Sequence, residues 1–390
     1  MQEIQALSRR PLILNNVQSS YERRPACWHH ISKETWQSYD WQMKNRLMTA
    51  DDWASVMPLT DGEKQAIAAV SMEFGMAVSP HYAAMMRPEL GTSCALRMQA
   101  IPSLLECHKH QDLLDDPLGE RRHAVSRCAT KRYPDRVMIY TTHECAMRCR
   151  HCTRRNRVGL KEQITEEYLD EAIACIVADE HVRDVLISGG DALCLNNEAL
   201  KKLLTALHAC DHLDVIRLCT RMPCTLPQRI IHDLELQDIL RKNAPIYVNT
   251  QFNHPNEASM EAEQAFEVLR SCGCILGNQS VLLREVNDSA DVLEPLYRWL
   301  LKQGCRPYYL FLCDVAQGTH HFRTSIQSGL EIMRHLRGRL SGLGIPHFVI
   351  DLPDGYGKLD LCPENRLSQD HNGTVIFKNW FGVEVPYRDI

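Results

Sequence analysis

Hydrophobic and polar positions divide the chain into two regimes. Up to about residue 115 the apolar positions recur at helical spacing. Leu59-Thr60-Asp61-Gly62-Glu63, ahead of one such stretch, carries the polar residues that open a helix. Trp28, Trp36, Trp41 and Trp53 fall in this region as expected packing anchors. From about residue 136, short apolar runs alternate with longer amphipathic segments. Residues 137–142, 185–188, 215–219, 246–250, 280–283 and 308–312 predict strands, and 166–177, 197–208 and 292–302 predict helices between them. Strand and helix in alternation imply βα units and a parallel sheet. About six such units predict an α/β fold, a partial (βα)6 barrel with a helical N-terminal region and a small C-terminal extension. Its active groups are expected at the strand C-terminal ends. A further apolar run, 347–351, leads into Leu352-Pro353-Asp354-Gly355-Tyr356-Gly357-Lys358, and the tail carries strand patterns around 374–377 and 383–385. The expected division is a helical region 1–115, the partial barrel 116–345, and a C-terminal segment 346–390.

Composition narrows the class. Hydrophobic residues make up 44% and charged residues 24% of the chain, and the formal net charge is −5. That balance fits a globular protein without the basic stripe of a nucleic-acid binder. No run of 18 apolar residues occurs, so no membrane span is expected. The 17 cysteines lie mostly in apolar stretches, as do Cys175, Cys210, Cys219 and Cys313. They read as buried free thiols of a reducing cytoplasm.

Three cysteines break from that pattern. Cys145-Ala146-Met147-Arg148-Cys149-Arg150-His151-Cys152 directly follows the first barrel strand. Three thiolates on one loop can bind three irons of a [4Fe–4S] cube. The fourth iron is then free to chelate the amino and carboxylate groups of S-adenosylmethionine. A structural zinc site would need a fourth ligand, and His151, lying between two of the cysteines, is poorly placed to close a tetrahedron with them. CxxxCxxC after a first strand resembles the radical S-adenosylmethionine enzymes. Ser188-Gly189-Gly190-Asp191, ending the second strand, resembles their site for the amino group of that cofactor. Glycines would let a ligand approach the backbone there, and a carboxylate could hold an ammonium.

Tyr133-Pro134-Asp135-Arg136, residues 145–155, Ser188-Gly189-Gly190-Asp191, Phe252-Asn253-His254-Pro255-Asn256-Glu257, Gly277-Asn278-Gln279-Ser280 and His321-Phe322-Arg323-Thr324 follow one another along the chain. Together they resemble the lysine 2,3-aminomutase family, from about Trp41 to Tyr387. The resemblance implies a radical isomerase that moves an amino group between C2 and C3 of an amino acid. Its cofactors would be the [4Fe–4S] cluster on Cys145, Cys149 and Cys152, S-adenosylmethionine, and pyridoxal phosphate. His151, Ser188, Gly189, Gly190 and Asp191 would bind S-adenosylmethionine. Lys358 would hold pyridoxal phosphate, with Arg132, Arg136 and Gln279 as further contacts. Arginine suits a phosphate because its planar fork donates two hydrogen bonds at once.

The same resemblance gives Arg154 to the substrate carboxylate and Asp314 and Asp351 to a side-chain cation. A glutamate-using relative is expected to lack that acidic pair. Lysine, arginine and ornithine all fit it. Asp354 and Tyr356 stand where the family's turn is nearly all glycine, and they favour a guanidinium partner. The alternative is a dehydratase or lyase acting on a hydroxylated basic amino acid. The family's zinc site is expected to be missing, since Ser289 follows Asn287-Asp288 and no cysteine follows Cys362. A homo-oligomer, dimer or tetramer, is expected, with an electron donor such as flavodoxin or ferredoxin, and no nucleic-acid or membrane partner.

Overall fold

The computed structural model describes residues 14, 17–364, 366–369, 374–379 and 382–388. Its centre is a ten-stranded sheet in the order β1 to β10. Seven strands are mutually parallel: β3 (Arg136–Tyr140), β4 (Asp184–Ser188), β5 (Val215–Cys219), β6 (Ile246–Thr250), β7 (Cys274–Leu282), β8 (Arg306–Leu312) and β9 (His347–Leu352). One longer helix lies in each of the six connections: Glu166–Ala178, Asn197–His208, Leu234–Lys242, Met260–Ser271, Ala290–Lys302 and Ile326–Leu336. Parallel strands need such crossovers, because a tight turn cannot reverse the chain twice. β1 (Ala124–Ser126) and β2 (Ala129–Tyr133) add antiparallel strands at one side, and β10 (Gly357–Asp360) adds one at the other.

The two sides of the sheet meet. Tyr133 on β2 accepts a 2.9 Å hydrogen bond at its hydroxyl from the Lys358 backbone N–H on β10. Arg132 on β2 lies 3.3 Å from Asp351 on β9. Strands second and ninth in the order can touch only if the sheet curls, and the accumulated strand twist supplies that curl.

The N-terminal region packs on this sheet. Its longest helix, Asp61–Phe74, starts at the Thr60 and Glu63 capping box, the pair that satisfies the first free backbone amides. Trp28, Trp36 and Trp41 are ring neighbours at 5.5 and 5.7 Å, whereas Trp53 enters the main core. That core is continuous from Leu47 to Phe348 and joins the helical region to the sheet. β11 (Arg366–Gln369), β12 (Thr374–Lys378) and β13 (Glu384–Arg388) form a separate antiparallel meander. Among the described residues no helix is long and apolar enough to cross a membrane.

Candidate active site

A cavity of about 340 Å³ opens inside the curled sheet. Cys145, Cys149, His151, Cys152 and Arg154 reach it from the loop after β3. Ser188, Gly189, Gly190 and Asp191 reach it from the end of β4. Arg132 and Arg136 come from β2 and β3, Gln279 from β7, Asp314 from beyond β8, Asp351 from β9 and Lys358 from β10. Every site residue nominated from the sequence therefore lines one space. Asp354 and Tyr356 do not. Tyr356 is 76% exposed, with Arg122 5.3 Å from its ring centre, and neither it nor Asp354 lines the cavity.

The loop carrying the cysteines is fixed on both sides. Towards the sheet, Gly190 N–H donates to Thr142 O at 2.6 Å and Asp191 N–H to Glu144 O at 2.8 Å. A Cβ at Gly190 would stand 2.2 Å from Glu144 O. The glycine is thus demanded by the crossing of the chain's own backbone. Towards the helical region, Arg150 is fully buried and pairs with the equally buried Glu106, which also holds Arg155. The Arg150 N–H donates to Gln99 O at 2.8 Å and the Arg148 N–H to Ala77 O at 2.9 Å. A buried ion pair is costly to form, but breaking one side of it costs several kcal/mol. The network therefore gives the loop one geometry.

Two of the loop's thiols are held in the protonated form by burial. Burial pushes the Cys152 thiol up to about 11 and the Cys145 thiol well above its ordinary value. They stay protonated until a cation displaces the protons. Among the described residues no three His, Cys, Asp or Glu side chains converge as a single-ion site requires. Three thiols lining one cavity are a donor set that suits an iron–sulfur unit. Three residues lining the same cavity carry buried polar atoms without a protein partner: His151 Nδ1, Asn249 Nδ2 and Thr250 Oγ1. Such atoms fit a polar ligand, since leaving them unpaired costs about 1–3 kcal/mol each. His151 Nε2 lies 3.0 Å from the Gln251 amide nitrogen, so Nε2 accepts and Nδ1 carries the proton. Asp191 has its carboxylate engaged by Thr220 Oγ1 at 2.6 Å, Arg221 N–H at 2.7 Å and Leu193 N–H at 3.0 Å.

In the same cavity, Lys358 Nζ donates to Asp351 Oδ2 at 2.6 Å and lies 4.7 Å from the Phe311 ring centre. Burial lowers the Lys358 pKa, opposed by Asp351. Asp314 is raised to about 6, first by burial and then by Asp351. Arg154 is held by Glu120 at 2.7 Å, with Ser188 Oγ 3.4 Å from its Nη1. Arg136 pairs with Asp135 at 3.0 Å, and Arg217 joins the cavity wall, paired with Asp184. The cavity wall thus brings three thiols, an amine, two acids and several cationic side chains to one space.

Sequence reasoning missed Glu106, Glu120, Thr153, Arg217, Arg221 and Glu257. Glu257 closes the Asn-His-Pro-Asn-Glu motif and Thr153 follows the last cysteine, so each was adjacent to a recognised signal. Glu106 had none.

Comparison with known proteins gives the family. A family model described as lysine-2,3-aminomutase matches residues 333–389, and one described as a 4Fe-4S single cluster domain matches residues 135–262. L-lysine 2,3-aminomutase of Clostridium subterminale is 40% identical over 368 residues, which is 94% of this chain and 88% of that protein. The enzyme of the same name from Acetoanaerobium sticklandii is 41% identical over 92% of this chain and 86% of its own length. Glutamate 2,3-aminomutase of Clostridioides difficile is 40% identical over 92% of this chain and 84% of its own. The chain belongs to the lysine 2,3-aminomutase family and is an isomerase.

Proposed function

We propose that this isomerase is a 2,3-aminomutase acting on a cationic L-α-amino acid, with lysine favoured over arginine. The carrying observation is the one cavity lined by Asp314, Asp351 and Lys358 together with three thiols. An acidic pair in a buried wall fits a substrate cation, because an unpaired buried charge is costly. Tyr356, exposed and outside the cavity lining, adds no support for a guanidinium over an ammonium. When bound, an iron–sulfur cluster with S-adenosylmethionine would supply a hydrogen-abstracting radical, and pyridoxal phosphate would carry the migrating amino group.

The chain's own side chains would do the rest. Cys145, Cys149 and Cys152 would hold the cluster, and His151 with the Ser188–Asp191 turn would line the S-adenosylmethionine pocket. Lys358, with its pKa lowered by burial, offers a neutral amine more readily than a surface lysine. Arg132, Arg136 and Gln279 would hold pyridoxal phosphate. Arg154 would take the substrate carboxylate, and Asp314 and Asp351 the side-chain ammonium. The sheet and its six crossovers read as a partial (βα)6 barrel over 116–345, flanked by a helical region 1–115 and a C-terminal segment 346–390. An external one-electron donor such as flavodoxin or ferredoxin, a homo-oligomeric state and a cytoplasmic location belong to the same proposal. All seventeen cysteines are unpaired, as a reducing compartment requires.

The test is anaerobic turnover of the reconstituted, reduced enzyme on an equimolar mixture of lysine, arginine, ornithine and glutamate. A new product of the same mass as lysine is expected. A product of changed mass from a hydroxylated basic amino acid, with none from the mixture, would replace this reading by elimination.

A further inference from the structure

Arg221 lies just beyond β5, 7% exposed, where a guanidinium needs a reason to be buried. Its Nη1 donates to Cys149 Sγ at 2.7 Å. Its Nη2 donates to Gln99 Oε1 at 2.9 Å and to Glu257 Oε1 at 2.7 Å, and its Nε to Gln251 O at 3.3 Å. Glu257, fully buried in its side chain, is held independently. It accepts from Tyr82 Oη, Gln99 Nε2 and the backbone N–H groups of Asn253 and His254. Gln99 is fixed in turn by Asn253 Nδ2 at 2.9 Å. Every Arg221 contact except one is therefore to a rigid protein acceptor, and the remaining fork nitrogen is aimed at sulfur. Among the described residues, Cys149 is the thiol of the three that a guanidinium touches.

We propose that Arg221 is a positioning and charge-balancing residue for the iron–sulfur cluster, donating to the Cys149 thiolate and raising the cluster's reduction potential. The proposal rests on the reading of the loop as a [4Fe–4S] site. Reduction adds one electron to the cluster and its thiolates. A fixed cation and a hydrogen bond on a ligating sulfur stabilise that added negative charge and make the electron easier to accept. Glu257 opposes the effect, since its carboxylate neutralises part of the guanidinium field. Removing each partner should therefore move the potential in opposite directions.

The cluster itself is tested first. Reconstituted wild-type protein should hold about four irons and four sulfides per chain and give a reduced-cluster resonance; a protein without these fails as a cluster enzyme, whatever Arg221 does. The midpoint potential is then followed by electron paramagnetic resonance in a redox titration without S-adenosylmethionine. Arg221→Met alone would strand the buried Glu257 charge, so the variant of choice is the double change Arg221→Met with Glu257→Gln. At fixed poise its ratio of reduced to oxidised cluster should fall about tenfold, a shift of about 59 mV for a one-electron couple. Glu257→Gln alone should raise the ratio. A double variant with full iron and sulfide and an unchanged ratio overturns the proposal. So does a ratio that falls in Glu257→Gln, because a network that only packs the loop would move both variants the same way. Should the double variant fail to take up iron, the Glu257→Gln sign decides alone.

Discussion

Thr153 Oγ1 donates a 2.6 Å hydrogen bond to Asp314 Oδ2. Thr153 follows the last cysteine of the loop and Asp314 follows β8, so one bond ties the cysteine loop to an acid of the cavity wall. The bond favours the ionised acid, against the burial and Asp351 repulsion that raise it. Thr153→Val removes a bond to a charged group, worth about 1.5–3 kcal/mol. On the reading proposed above, the KM for a cationic amino acid should then rise about tenfold or more, and its low-pH limb should move to higher pH. Thr153→Ser keeps the donor and should restore both. A valine variant with unaltered KM and pH limb would remove Thr153 from substrate recognition.

Asp314 also sets a pH dependence of stability. Its carboxyl ordinarily titrates at 3.8 and in the folded chain at about 6. Between those values the folded state binds more protons than the unfolded state. This group's contribution to stability is therefore largest below the window, falls as pH rises through it, and stays low above it. Asp314→Asn removes the term. The thermal midpoint of the ligand-free variant, relative to wild type, should increase between about pH 4 and pH 7. A difference that is flat or falls with pH would contradict the burial of an ionisable Asp314.

The parallel strands were legible because most contain a short run of apolar or β-branched residues set between longer amphipathic segments. β1, β2 and β10 were not. Ala-Val-Ser, Ala-Thr-Lys-Arg-Tyr and Gly-Lys-Leu-Asp are short and polar, and their pairing comes from tertiary context. β7 starts six residues earlier than its apolar run, since Gly277, Asn278 and Gln279 disfavour strand on propensity alone. In the site, spacing and resemblance marked the cysteines, the two acids and Lys358. Arg221 and Glu106 were invisible because a buried charge and a surface charge are the same letter. Their partners are remote: Gln99 is 122 residues from Arg221 and Glu106 is 44 from Arg150. That Asp354 and Tyr356 lie outside the cavity lining was not legible, because a turn's letters do not say which way it faces.

Gly190 offers a sharper structural test. Added at this residue, a methyl group meets backbone, the Glu144 carbonyl at 2.2 Å, and no rotamer change relieves it. Gly190→Ala should cost about 1–3 kcal/mol of stability and, by pushing the 142–144 segment away, lower iron uptake. Thermal unfolding and iron content check it. A variant that unfolds like wild type and loads full iron would mean the loop is freer than its hydrogen bonds imply.

The last prediction concerns Arg154, whose guanidinium is held 2.7 Å from the Glu120 carboxylate. Glu120 orients the fork towards the cavity, and it also competes for the positive charge that a substrate carboxylate would meet. The two roles give opposite signs. Arg154→Met removes a charge-assisted contact worth about 1.5–3 kcal/mol and should raise KM about ten- to hundredfold. Glu120→Gln keeps an acceptor for orientation but removes the competing anion, so KM should fall severalfold with Arg154 intact. The KM of each variant for the same amino acid decides between them. If Glu120→Gln instead raises KM to the Arg154→Met level, orientation by a charged partner is what the site requires. The guanidinium would then hold its place only while Glu120 is ionised.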